Sequence, residues 1–298
     1  MPSVQANGIH IEYEELGEVD DPALVLIMGL SGQLIWWDDA FCEALVARGF
    51  RVIRFDNRDV GRSARFDGAR RPDLAALMAG DAGTASYTLE DMADDTAGLL
   101  EALGVEAAHV VGASMGGMIA QVLAIRHPRL VRSLCSIMST TGARDVGQPS
   151  RAALEVLLRP PAGTREEYVA ASVEASRVIG SPGFPADEEA VGLRAARSWD
   201  RGYSPEGVAR QLAAILASPD RTAALGHLLV PTLVIHGEED PLVDPSGGRA
   251  TARAVPGAEL VMVPGMGHDL PVGAWDRIVE AIAANASRAA PSVGEGSR

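Results

Sequence analysis

"AAHVVGASMGGMIAQVLA", residues 107–124, runs apolar, then through glycines that flank a single hydroxyl, then apolar again. Its first part, AHVVGA, has the continuous apolar character of a strand covered on both faces. Its continuation, GGMIAQVLAIRHP, has helical spacing and closes at Pro128. Ser114 therefore stands where a strand turns into a helix. Gly112-Ala113-Ser114-Met115-Gly116 fits the pattern G-x-S-x-G. In that pattern a sharp strand–turn–helix strains the serine backbone, demands small neighbours and holds the hydroxyl above the sheet. The N–H of Met115 then lies at the positive end of a helix. A serine at this place could also be a helix cap or a packing residue, and the rest of the chain has to decide.

The flanking sequence places this turn in an alternating architecture. GIHIEYEELG (8–17) alternates with period two, as an antiparallel edge strand does, and PALVLIMGL (22–30), RVIRFD (51–56) and VRSLCSIMS (131–139) are further strand-like runs. Helical spacing appears at 36–50 and at 88–105, where Thr88 and Asp91 form a capping-box start. Strands alternating with helices imply right-handed crossovers and a mainly parallel sheet. From about 141 to 226 no strand is legible, only helical stretches broken by Pro and Gly. The strand–helix pattern returns with 230–240, a helix at 246–255, 258–270, and a last helix at 274–288. The expected fold is therefore α/β, with about eight mostly parallel strands, helices on both faces and an all-helical insertion after strand six. Residues 1–140 and 227–289 would form the core and 141–226 a lid, and 290–298 reads as a frayed tail.

A serine is a weak nucleophile until a well-oriented base takes its proton. Of six histidines, His268 in VPGMGHDL follows the last strand, where a loop can carry its imidazole over Ser114. His10 falls on the edge strand, His109 at the far end of the serine strand, His127 beside a helix-ending proline and His227 in a connecting loop. His236 precedes the acidic run and reads as a supporting residue. The acid is expected after the preceding strand, where GEEDPLVD offers Glu238, Glu239, Asp240 and Asp244. Asp240 is selected because Pro241 and an apolar pair turn the loop inward behind it. An oxyanion hole needs two N–H donors, for which Met115 and Leu30 are the candidates, with Gly29 permitting close approach. Trp36 and Trp37, together with Trp199 in the insertion, are candidate walls of a substrate pocket. In DNRDVGRS (56–63) the charged residues read as tethers for a loop.

The 298-residue chain is 47% hydrophobic and carries a formal net charge of −14, which weighs against nucleic acid or an anionic membrane as partner. Its two cysteines are too few for a disulfide framework or a thiolate metal site and fit a reducing cytoplasm. The N-terminus has no signal-peptide pattern, and no apolar run approaches the roughly 20 residues of a membrane span.

With MGL at 28–30, RFDNRDVGRS at 54–63, GASMGG, PTLVIHGEEDPLV and PGMGH, the chain resembles the α/β-hydrolase superfamily over nearly its whole length. Within it, the sequence looks most like small actinobacterial serine esterases of the aclacinomycin methylesterase type, which cleave a methyl ester on an anthracycline polyketide. The resemblance implies a triad of Ser114, Asp240 and His268, a small-molecule ester as substrate, and no cofactor or metal. It departs from the pattern at Met28, where many relatives carry His, so a polar contact that supports that loop is lost. Other chemistry on the same triad, such as lactone hydrolysis, C–C bond hydrolysis or perhydrolysis, stands beside ester cleavage, and so does a small-molecule receptor that keeps the triad. Relatives that cleave C–C bonds often carry Trp after the catalytic His, where this chain has Asp269.

Overall fold

The computed structural model describes residues 2–289; the tail expected at 290–298 lies outside the described residues. Eight strands make one sheet: β1 (Ser3–Ala6), β2 (Ile9–Leu16), β3 (Ala23–Ile27), β4 (Arg51–Phe55), β5 (Ala108–Ala113), β6 (Val131–Ile137), β7 (Thr232–Gly237) and β8 (Glu259–Val263). Their order is β1-β2-β4-β3-β5-β6-β7-β8. The pairs β1–β2 and β2–β4 are antiparallel, and every pair from β4 to β8 is parallel. The sheet is therefore the mostly parallel one expected. One detail differs: the segment read as the edge strand is second in the sheet, because Ser3–Ala6 pairs outside it. Those four residues are too short and too polar to carry a period.

Successive β3 residues show why both faces must be covered. Leu24 and Leu26 point to one face and Val25 and Ile27 to the other, and all four are fully buried. On the first face α1 (Asp39–Val46) and the C-terminal helix Trp275–Ser287 bury Phe41, Leu45, Ile278 and Ile282. Two further helices, α2 (Leu74–Met78) and α3 (Leu89–Ala102), precede β5, and α3 starts on the Thr88–Asp91 capping box that the sequence announces. On the second face α3 and α4 (Met115–Arg126) bury Leu89, Met92, Leu99, Ile119 and Leu123. Every residue of α4 from Met115 to Ala124 is buried, so this helix has no polar face, as its sequence shows.

All helices between β6 and β7 belong to the segment without strands: α5 (Arg151–Leu157), α6 (Arg165–Ile179), α7 (Glu188–Gly202), α8 (Pro205–Ala217) and the short α9 (Thr222–Leu225). After β7 comes α10 (Ser246–Ala254), and Trp275–Ser287 is α11. The insertion is fastened by buried ion pairs to the loop after β4. Arg201 of α7 donates to Asp56 at 2.6 Å, and Arg210 of α8 grips Asp59 with two bonds of 2.8 and 2.7 Å. Arg58 points the other way, to Asp95 of α3 at 2.6 and 2.7 Å. The charged run 56–63 is thus a tether, and it ties the insertion as well as its own loop.

His109 at the start of β5 is buried, shares a hydrogen bond of 2.9 Å with Ser133 and meets Phe50 edge-on. Burial, reinforced by the Arg132 charge, pulls its pKa down to about 4, from an ordinary value of 6.5. The unfolded chain therefore takes up a proton that the fold refuses. Stability from this site is complete above pH 6.5 and is lost as pH falls toward 4, by at most about 3 kcal/mol. His109→Asn should flatten the fall in melting temperature between pH 6.5 and 4.5 relative to the unaltered protein. An unchanged slope would remove His109 as the cause.

Candidate active site

The strand-to-helix turn at Ser114 has the strain that its sequence demands. Ser114 sits at φ 56° and ψ −120°, a left-handed conformation for a residue with a side chain, at a cost of about 1–3 kcal/mol. Its N–H is held by Ile137 O of β6 at 2.9 Å, and its carbonyl accepts from Gly117 and Met118 as α4 begins. Two glycines let the turn close. A Cβ on Gly112 would lie 2.1 Å from Gly116 O, and one on Gly116 would lie 2.0 Å from Ile27 O of β3. Ser114 Oγ is left half-buried at the C-terminal ends of the parallel strands, the end where ligands bind in such sheets.

His268, on the loop after β8, places Nε2 2.9 Å from Ser114 Oγ. Its Nδ1 is 2.7 Å from Asp240 Oδ2. Asp240 is buried on the turn after β7, and its other oxygen accepts the N–H groups of Leu242 and Val243, each at 2.9 Å. Burial opposes the negative charge. The His268 charge, hydrogen bonds from His236 and His268, and the Val243 N–H outweigh burial and hold the carboxyl well below the usual range. Asp240 thus stays ionised and fixes the tautomer of His268 with Nδ1–H toward itself, leaving Nε2 free to accept the serine proton. Glu238, Glu239 and Asp244 are exposed and take no part.

His236 has a closer role than a generic support. It is fully buried, donates from Nε2 to Val243 O at 2.8 Å, and has that nitrogen 3.4 Å from Asp240 Oδ2. It therefore pins the backbone turn that presents Asp240. The remaining histidines sit elsewhere: His10 bonds Arg62 O and His127 bonds Asp94.

The loop 28–33 passes directly beside the serine, and a Cβ on Gly29 would lie 3.0 Å from Ser114 Cβ. Leu30 follows at once. Met115 is the first residue of α4, so its N–H has no acceptor within the helix. Three side chains overlooked in the sequence hold this loop. Asn57 Nδ2 donates to Met28 O at 2.9 Å, Ser31 N donates to Gln211 Oε1 at 2.9 Å, and Gln33 Nε2 donates to Ser198 O at 2.7 Å. Asn57 therefore supplies a polar anchor at Met28. Gln211 carries the one clear signal: a fully buried amide on the apolar side of a helix.

Trp36 faces the insertion, where its Nε1 donates to Ser198 Oγ at 3.0 Å. Trp37 has no exposed surface and stacks on Phe41 in the core, which corrects its expected place in the pocket wall. Trp199 stacks on Tyr203 and packs against Tyr168 within the insertion, joining α7 to α6.

The insertion also touches the base. His268 N donates to Ile179 O at 2.7 Å, Gly267 N to Ser181 Oγ at 2.9 Å, and Gly183 N to Gly265 O at 2.9 Å. Ser181 Oγ in turn donates to Asp269. The end of α6 is thus hydrogen-bonded along the histidine loop.

Residues 22–272 match the family model of the alpha/beta hydrolase fold. The chain is an α/β hydrolase. The hydrolase is 34% identical over 295 residues to the rhodomycin D methylesterase DauP of a Streptomyces strain, covering 91% of this chain and 93% of that one. It is 33% identical to the rhodomycin D methylesterase DnrP of Streptomyces peucetius, with the same coverage. Among solved structures, an enol-lactonase from Burkholderia xenovorans superposes with a TM-score of 0.72 at 24% identity over 96% of this chain and all of that one, a likeness of fold. Among the described residues, no helix is long and apolar enough to cross a membrane.

Gly116→Ala would force α4 away from β3, at a cost of about 3 kcal/mol. A fall in melting temperature of about 6–12 °C should accompany loss of hydrolysis, readable by scanning calorimetry. A variant that melts and turns over like the unaltered protein would show that the approach of helix to strand is looser than described.

Proposed function

We propose that this hydrolase cleaves a carboxylic ester through an acyl-enzyme, with Ser114 as nucleophile, His268 as general base and acid, and Asp240 as the group that orients it. The continuous chain of contacts from Asp240 Oδ2 through His268 to Ser114 Oγ, at 2.7 and 2.9 Å, carries this reading. Ser114 Oγ attacks the acyl carbon as His268 Nε2 takes its proton. The developing oxyanion is met by the N–H groups of Leu30 and Met115, the second reinforced by the N-terminus of α4. Collapse of the intermediate expels the alcohol, which receives the proton from His268. Water, deprotonated by the same imidazole, then releases the acid and restores Ser114.

The substrate class we favour is a methyl ester on an aromatic polyketide, by analogy with the rhodomycin D methylesterases. Residues 141–226 would serve as the lid that selects it, with Gly29 and Trp36 lining the approach. Two buried, unbridged cysteines, Cys42 and Cys135, support a cytoplasmic setting.

Ser114→Ala should abolish turnover of a p-nitrophenyl ester and labelling by a fluorophosphonate. Asp240→Asn should fold but lose about 10³- to 10⁴-fold in kcat, since the amide no longer favours the needed tautomer. Retained turnover in Ser114→Ala would refute the assignment.

A further inference from the structure

Arg194 of α7 stands apart from the other buried arginines of the insertion. Arg201 and Arg210 each grip a buried carboxylate, and Arg221 is held by Gln121, Ser218 and the Thr140 carbonyl. Arg194 is half-buried, its Nε is sealed from solvent, and that nitrogen has no hydrogen-bond partner among the described residues. Its guanidinium instead lies over the Trp36 ring, 5.2 Å from the centroid. That ring is fixed from below. Trp36 Nε1 donates to Ser198 Oγ, which itself donates to Arg194 O one turn back along α7.

The position is informative. Trp36 follows the loop of Gly29 and Leu30, and the second charge felt by Arg194 is Asp269, the residue after His268. The cation thus sits on the insertion over Trp36, the aromatic that follows the serine-side loop, with Asp269 of the histidine loop among the charges acting on it. Burial pulls its pKa down, and the Asp38 and Asp269 charges raise it only in part. Neither carboxylate is bonded to it: Asp38 caps α1 and Asp269 accepts from Ser181. A guanidinium has five donors in a rigid fork that matches a carboxylate. Sealing its Nε from water without an acceptor is costly unless something else supplies one. In a chain of net charge −14, a local cation is also the feature that would draw in an anion.

We propose that Arg194 is a specificity residue that binds a carboxylate carried on the ester substrate, so that the preferred esters are half-esters of dicarboxylic acids or their aromatic equivalents. This rests on the ester-hydrolysing reading above and adds a substrate charge to it. Trp36 holds the guanidinium by its ring face and offers an aromatic substrate a flat neighbour.

The test compares monomethyl and dimethyl isophthalate as competitors of p-nitrophenyl acetate turnover, which gives a ratio even where the methyl esters themselves turn over slowly. The unaltered enzyme should be inhibited by the half-ester at concentrations roughly 10- to 100-fold below those of the diester, the range expected for a charge-assisted hydrogen bond. Arg194→Gln should bring that ratio close to one. A merely structural role would weaken both inhibitors together and leave the ratio standing, which would overturn the proposal, as would equal inhibition of the unaltered enzyme. If Arg194→Gln does not fold, Arg194→Lys carries the test: it keeps the charge but loses the fork, so the ratio should fall severalfold, and an unchanged ratio counts against the proposal. Absence of any p-nitrophenyl acetate turnover by the unaltered enzyme would instead strike at the esterase reading itself.

Discussion

The left-handed backbone of Ser114 is the constraint from which the rest of the site follows. A side chain at φ 56° persists only where the surroundings over-determine it. Here α4 is pressed so close to β3 and β5 that neither Gly112 nor Gly116 has room for a methyl group. The same pressing buries every residue in the first turns of α4 and drives its N-terminus up against the serine. Core packing and the placement of the hydroxyl are therefore one event: the apolar burial of α4 offsets the strain at its first turn.

Charge is handled in two ways around this turn. Asp240 is buried yet ionised because two backbone N–H groups and two imidazoles converge on it. Its desolvation is thereby compensated by fixed donors, which also fix its direction. Asp56 and Asp59 do comparable work at the other side, where their arginine partners belong to the inserted helices. The insertion is consequently joined to the core at two edges, through ion pairs beside the loop of Leu30 and through backbone bonds along the loop of His268. Shifts of α6 or α7 would be felt by both the base and the oxyanion-side loop.

The sequence made the chemistry more legible than its surroundings. G-x-S-x-G between an apolar run and a helical one marked Ser114, and the positions of Asp240 and His268 after successive late strands marked two side chains that the structure brings to it. These signals are local, since each depends on a residue type at the end of a recognisable element. The first strand escaped notice because four residues, of which only Ala6 is buried, are too few to show a period. Asn57 and Gln211 escaped because their work, holding the loop 28–33, depends on neighbours 29 and 180 residues away. Trp37 was misplaced for a related reason: an aromatic side chain fits a core as readily as a cleft, and only its packing partners distinguish the two.

By itself, the sequence determined the alternation of strands and helices, the strained serine turn and the types of group that could activate it. Hydrophobic periodicity and glycine sterics act over a few residues, and they are written in order along the chain. Only the tertiary structure decided that Trp36 meets the insertion, that the Arg194 Nε is sealed without an acceptor, and how the inserted helices clasp the histidine loop. Those outcomes depend on which desolvated groups find partners from distant segments, and a one-dimensional pattern holds no record of that pairing.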